Sequence, residues 1–148
     1  MTTLGIDSQL CFALYSASRA MTAAYRPILA DMNLTYPQYL VLLVLWEDEH
    51  VTVRRLGERL QLDSGTLSPL LKRLEANGFV RRERSRDDER LVEVTLTTAG
   101  RRLEKKAQCI PGELFTATGM SEKQAADLRD AVRQLTDALN ASSRRESA

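Results

Sequence analysis

The chain is poor in the residues that build metal centres and covalent scaffolds. Its 148 residues include one histidine and two cysteines. That leaves little for a zinc site and too few thiols for a disulfide framework. No apolar run approaches the roughly 20 residues needed to cross a bilayer. The N-terminal MTTLGIDSQL lacks the basic stretch and long apolar segment of a secretory leader. These absences point to a cytoplasmic protein with no membrane partner, and no cofactor is implied. Net charge is nearly absent too: 21 Lys/Arg face 20 Asp/Glu, a formal +1. Hydrophobic residues at 43% can build one domain, with a core limited enough that dimerisation would help it.

The small net charge hides an uneven distribution. Residues 52–106 carry 14 Lys/Arg against 9 Asp/Glu, and the rest of the chain carries 7 against 11. A basic middle between acidic ends suits a polyanion partner. On charge alone, a solvated surface of mixed sign explains it equally well.

Periodicity orders the chain. Leu10, Leu14, Ala17, Met21, Ala24 and Ile28 recur at spacings of 4, 3, 4, 3 and 4, the stripe of a long helix over about 8–32. Asp7 or Ser8 is its expected cap, and Pro27 falls late in it. A second helix is expected after Thr35, with Pro37 in its first turn. Its TYPQYLVLLVLWE is apolar almost all round and should be buried. Val51 to Leu62 reads as a short strand followed by a short helix. Leu67, Leu70, Leu71 and Leu74 then define a helix face, with Ser64 or Thr66 as cap and Asn77-Gly78 as the stop. Val92, Val94 and Leu96 alternate with polar residues as a strand, partnered by Val80 to Arg84 across a charged tip at Ser85 to Glu89. Helix resumes at Thr98 and is interrupted at Ile110-Pro111-Gly112. A last helix opens near Met120 to Glu122, with Leu128, Val132, Leu135 and Leu139 as its stripe. The tail from Ser142 is expected to be disordered.

Two short helices joined by a brief turn, then a basic hairpin, describe a winged helix-turn-helix. The second helix of the pair fits a major groove. Its exposed face carries Ser64, Thr66, Ser68 and Pro69, with Lys72 and Arg73 further along. Short hydroxyls approach bases or phosphates, and free N-terminal amides bind phosphate. The hairpin tip is assigned Arg82, Arg84, Arg86 and Arg90, and an arginine-tipped ribbon suits a narrow minor groove.

The segment DSGTLSPLLKRLEANGFVRRERSRDDERLVEVTLTTAG resembles the core of the MarR family of bacterial transcription regulators. Asp88-Glu89-Arg90 followed by Leu96-Thr97 matches that family's wing signature. The resemblance implies a mainly α fold with a small β wing, a single domain over 1–148. The winged-helix lobe would span about 36–97. Helices over about 8–32 and 98–141 would interlock as the dimerisation layer of an intertwined homodimer. It implies a palindromic operator in double-stranded DNA, an orienting role for Asp88, and minor-groove contact by Arg90 and Arg86.

Cys11 lies in the first turn of its helix, where the dipole favours an anion. Cys11, Tyr15, Ser18, Thr22 and Tyr25 recur at 4, 3, 4 and 3, a stripe beside the apolar one. Tyr15 is one turn from Cys11. Tyr25 is fourteen residues away, roughly 21 Å at about 1.5 Å per residue. It can meet only the Cys11 of a second subunit, through antiparallel first helices, and Tyr36 can join from the same side. Phenol hydroxyls donate hydrogen bonds that favour a thiolate. A buried thiol packing among core tyrosines is the competing reading.

QLCFALYSASRAMTAAYRPIL and LTYPQYLVLLVLWE resemble the organic hydroperoxide resistance regulators, a branch of the MarR family. That resemblance implies that Cys11 is a peroxide sensor whose thiolate is held by Tyr25 and Tyr36, with Tyr15 as a further site tyrosine. An organic hydroperoxide would be the inducer and the operator complex the repressing state. Some branch members capture a small cellular thiol; others use a second cysteine, a role open to Cys109. The protein would not be an enzyme. Three alternatives stand beside this reading: a repressor released by a small phenolic ligand with Cys11 merely packing, a thiol peroxidase, and a DNA-coating protein indifferent to sequence.

Overall fold

The computed structural model describes residues 4–146. Its contacts divide the chain into two units, Met1–Ile110 and Pro111–Ala148. The first begins with a short 3-10 turn, Ile6–Ser8, and then α1, Leu10–Ala30. The expected caps of α1 do not act as caps. The Ser8 hydroxyl donates to Gly5 O at 2.7 Å and so closes the preceding turn. The helix starts from Gln9 without a side-chain cap and continues through Pro27 unbroken.

After Asn33, in the left-handed region at φ 53°, α2 spans Tyr36–Asp48. A capping box opens it: the Thr35 side chain accepts from the backbone of Gln38, and Thr35 N donates to Gln38 Oε1 at 3.0 Å. Pro37 sits where no amide is missed. Gln38, Tyr39, Val41, Leu42, Val44 and Leu45 are buried, so this helix is the centre of the unit.

Strand β1, His50–Thr52, leads into α3, Val53–Leu60, and α4, Ser64–Ala76. Gln61, at φ 55° and ψ 41°, makes the left-handed turn that ends α3. Gly57 lies so close to this turn that an added Cβ would stand 2.8 Å from Leu62 O. Arg59 clamps α3 to the end of α2, donating to Glu47 Oε2 at 2.7 Å and Asp48 Oδ2 at 3.1 Å. The hairpin is β2, Val80–Arg84, paired as expected with β3, Val92–Leu96; the structure sets the register, Val80 opposite Leu96 and Arg84 opposite Val92. Strand β1 adds to the other side of β3, giving the antiparallel order β1-β3-β2.

Helix α5, Thr98–Ala107, closes the unit. Thr97 caps it through Gly100 N and donates its own proton to Gly78 O, tying the stop of α4 to the start of α5. Trp46 Nε1 donates to Gly100 O at 3.0 Å and stitches α2 to α5. Leu29, Leu42, Leu45, Leu56, Leu67, Leu71, Leu74, Val80 and Val94 form the buried core. Each such side chain contributes on the order of 1.5–3 kcal/mol by leaving water.

The chain breaks at Gln108-Cys109, and α6 runs Ile110–Thr118 with Pro111 and Gly112 in its first turn. Helix α7 spans Glu122–Glu146. The tail expected to be disordered from Ser142 is therefore helical through Glu146, and residues 147–148 lie outside the described part. Ser142 and Ser143 return their hydroxyls to Ala138 O and Leu139 O, and Arg144 and Arg145 complement the dipole of the last turn. No described helix is long and apolar enough to cross a membrane.

Candidate functional site

Two sets of residues stand out in the first unit. One is the face made by α4 and the hairpin. Helix α4 is capped by Asp63, one residue before the expected Ser64: Asp63 Oδ1 accepts from Thr66 N at 2.7 Å. Thr66 Oγ1 donates to Asp63 Oδ2 at 3.2 Å. Two expectations change as a result. The Thr66 amide is already engaged and does not wait for a phosphate. The Thr66 hydroxyl proton is committed to the cap, so its outward role is limited to accepting. The carboxylate of Asp63 is held below its usual range by these bonds from Thr66.

Ser64, Ser68, Pro69, Lys72 and Arg73 are exposed along the helix. Ser64 and Ser68 line a groove of about 820 Å³ between α3, α4 and the hairpin, together with Leu71, Val92, Arg82 and Arg90. Beyond it the hairpin tip is ordered by Asp88. Its carboxylate accepts from Arg90 N at 3.1 Å, Nε at 3.1 Å and Nη2 at 3.4 Å. The Arg90 side chain accordingly holds Asp88 below the ordinary carboxylate range. Arg84 Nη1 reaches Glu89 O at 3.3 Å, and Arg86 is exposed. Arg82 departs from its sequence assignment: it sits in the middle of β2, not at the tip, and its guanidinium turns to Glu75.

The second set lies at the corner of α1 and α2. The rings of Tyr25 and Tyr36 are 4.5 Å apart, and Tyr39 joins them at 5.8 Å and 6.5 Å. Burial first, then the neighbouring phenols Tyr36 and Tyr39, pushes Tyr25 up to about 12. Burial also raises Tyr36 and Tyr39. All three are thus neutral O–H donors throughout the physiological range. Tyr39 was missed by the sequence reading, although its spacing of three from Tyr36 is a usable signal. Tyr15 stands apart from this cluster; its exposed ring carries the Arg19 guanidinium 5.6 Å from its centroid.

Cys11 is exposed, outside any disulfide, near the start of α1. Because α1 is one continuous helix, Cys11 lies about 21 Å along its axis from Tyr25. Cys109 is also exposed and outside any disulfide, with its thiol donating to Lys106 O at 3.4 Å. It lies close enough to Tyr39 that its negative form contributes to raising that phenol. The stripe of α1 is partly uncovered in the single chain: Leu10 is 61% exposed and Met21 42%, while Leu14, Ala24 and Ile28 are half-buried. On α7, Leu128 is 50% exposed and Leu139 60%.

Comparison with known proteins places this arrangement. Residues 23–107 match the family described as transcriptional regulator SarA/Rot. The HTH-type transcriptional regulator TtmR of Methylorubrum extorquens (strain PA1) is 54% identical over 136 residues, covering 92% of this chain and 70% of that protein. The organic hydroperoxide resistance transcriptional regulator of Bacillus subtilis (strain 168) is 47% identical over 135 residues, 91% of this chain and 92% of that one. Among solved structures, reduced AbfR bound to DNA, a protein of Staphylococcus epidermidis, superposes with a TM-score of 0.74 at 36% identity, over 90% of this chain and 94% of that chain.

Proposed function

The chain belongs to the SarA/Rot family of MarR-like winged-helix transcriptional regulators, and from that premise we propose that it is a homodimeric repressor released from its operator when an organic hydroperoxide oxidises Cys11. The carrying observation is the pair Tyr25 and Tyr36, two neutral phenols in tilted contact where the far end of the helix that bears Cys11 meets α2. They are too far away to serve their own thiol. Antiparallel packing of two α1 helices brings Cys11 of the partner subunit to this corner, and the uncovered Leu10 and Met21 provide apolar surface for that packing. Tyr15 borders Cys11 from its own helix.

The chemistry requires a thiolate. Its sulfur attacks the outer oxygen of the hydroperoxide, the O–O bond breaks, and the alcohol leaves after taking a proton. The sulfur is oxidised to sulfenic acid as the peroxide is reduced by two electrons. A thiol then attacks the sulfenic sulfur, forming a disulfide and releasing water. That thiol is a small cellular thiol or Cys109 of the partner subunit; the mass of oxidised protein, with and without Cys109→Ser, separates the two.

In the reduced dimer each α4 enters a major groove with Ser64, Thr66, Ser68 and Pro69 foremost, Lys72 and Arg73 against the backbone, and Arg84 on the flanking phosphates. Arg86 and Arg90, the latter oriented by Asp88, enter the adjacent minor groove. A two-fold dimer reads a palindrome, so repacking at the dimer layer takes both α4 helices out of register together. The test is fluorescence anisotropy of an operator fragment at fixed salt, before and after organic hydroperoxide, with wild type and Cys11→Ser. Release in wild type alone, reversed by a thiol reductant, is expected. Release in both proteins assigns induction to something other than Cys11.

A further inference from the structure

Strand β2 is an edge of the three-stranded sheet, with β3 on one side and no strand on the other. An outward amide on such an edge needs an acceptor from elsewhere. At Arg82 that acceptor comes from α4. Glu75 Oε2 accepts from Arg82 N at 2.8 Å and from Arg82 Nε at 3.3 Å, so one carboxylate oxygen holds both the backbone and the side chain of the strand. The pair is partly buried, with the Arg82 and Glu75 side chains 29% and 39% exposed. The neighbouring wing arginines are tied within the wing itself, Arg84 to Glu89 O and Arg90 to Asp88.

We propose that Glu75 and Arg82 form a strut that fixes the wing at a set position relative to the reading helix, so that one half-site is read in the major and minor grooves as a single rigid unit. This rests on the DNA-reading role proposed above for α4 and the wing. Arg82 is then a positioning residue, not a phosphate contact. Its charge is spent on Glu75 before DNA arrives. Without the strut, the wing pivots on the Asn77-Gly78 turn, where Gly78 adopts φ 79°, and ordering it again on DNA costs affinity.

The strut and simple electrostatics predict opposite signs. Removing a carboxylate from a DNA-binding face ordinarily tightens binding. Removing Glu75 should weaken it. The experiment uses the reduced full-length protein and the duplex that wild type selects from a random pool. Glu75→Ala is expected to bind about tenfold more weakly, as for the loss of a charge-assisted hydrogen bond. It should lose hydroxyl-radical protection of the flanking minor grooves while guanine N7 protection in the major groove remains. Glu75→Gln retains an acceptor of the same shape and should restore the flanking protection. Equal or tighter binding by Glu75→Ala with the flanks still protected overturns the strut. So does parallel loss of both protections in Glu75→Ala and Glu75→Gln, which marks a general folding role. If wild type itself leaves the flanking minor grooves unprotected, the wing reading fails and the strut's purpose fails with it.

Discussion

Tyr25→Phe removes one hydroxyl and little else, and it isolates the claim that the tyrosine corner holds a thiolate. Tyr25 is raised to about 12 by burial and by Tyr36 and Tyr39, so at neutral pH its oxygen carries a proton to donate. A hydrogen bond to a charged group is worth about 1.5–3 kcal/mol. Its loss lowers the thiolate-to-thiol ratio of Cys11 by about 10- to 150-fold at fixed pH. The oxidation rate falls by less, because a more basic thiolate is the better nucleophile. With a Brønsted slope near 0.4–0.5, the net slowing is about 3- to 20-fold. The phenyl ring keeps its 4.5 Å centroid distance to Tyr36, so stability should change little. The assay is the rate at which tert-butyl hydroperoxide converts Cys11 to a trapped sulfenic acid, with thiolate absorbance titrated in parallel. If Tyr25→Phe and the double Tyr25→Phe/Tyr36→Phe protein both oxidise at the wild-type rate with unaltered thiolate absorbance, the cluster is packing and nothing more.

Met21→Glu places a charge on the partly uncovered stripe of α1 and should yield a single-chain mass in light scattering together with loss of operator binding; a dimer of undiminished affinity would remove α1 from the interface. Gly100→Ala sets a methyl group against Phe79 O and 2.9 Å from Leu96 Cδ2, and backbone cannot yield as a side chain does. It should destabilise by about 1–3 kcal/mol, visible as a melting temperature lower by roughly 3–10 °C; unchanged melting would refute that close approach. The bond from Arg82 holds Glu75 below its ordinary value, so its contribution is present above the unfolded-state value and lost as pH falls through the folded one. Protection of the Arg82 amide from hydrogen exchange, corrected for intrinsic rate, should therefore be flat from about pH 8 to about 5 and fall only in stronger acid. A loss near neutral pH would refute that account of the bond.

Much of this molecule is local, and local features are legible in a chain of residues. The alternation at Val92, Val94 and Leu96 set the strand, and Val80 to Arg84 its partner, because side chains that alternate can bury only one face. Thr35 and Pro37 announced the start of α2, and Asn77-Gly78 the end of α4, because caps and left-handed turns are decided by the residues that make them. The rise of a straight helix alone separates Cys11 from Tyr25. The misassigned caps show where this stops. Asp63, Ser64 and Thr66 are all competent caps, and which one acts depends on where the preceding turn delivers the backbone.

What only the tertiary structure decided are the contacts between elements distant along the chain. Nothing in Val51 says that β1 will pair with β3, because a three-residue strand has no register of its own until a neighbour supplies it. Nothing in Arg82 distinguishes a strut from a DNA contact, because an arginine's role is set by whichever anion folding places beside it. Tyr39 became part of the tyrosine cluster only when α1 laid Tyr25 against α2. The sequence by itself determined which residues are available for the proposed chemistry: a thiol, phenols and a row of arginines. Packing decided which of them meet, since hydrogen bonds and ring contacts act over a few ångströms and only the folded chain sets those distances.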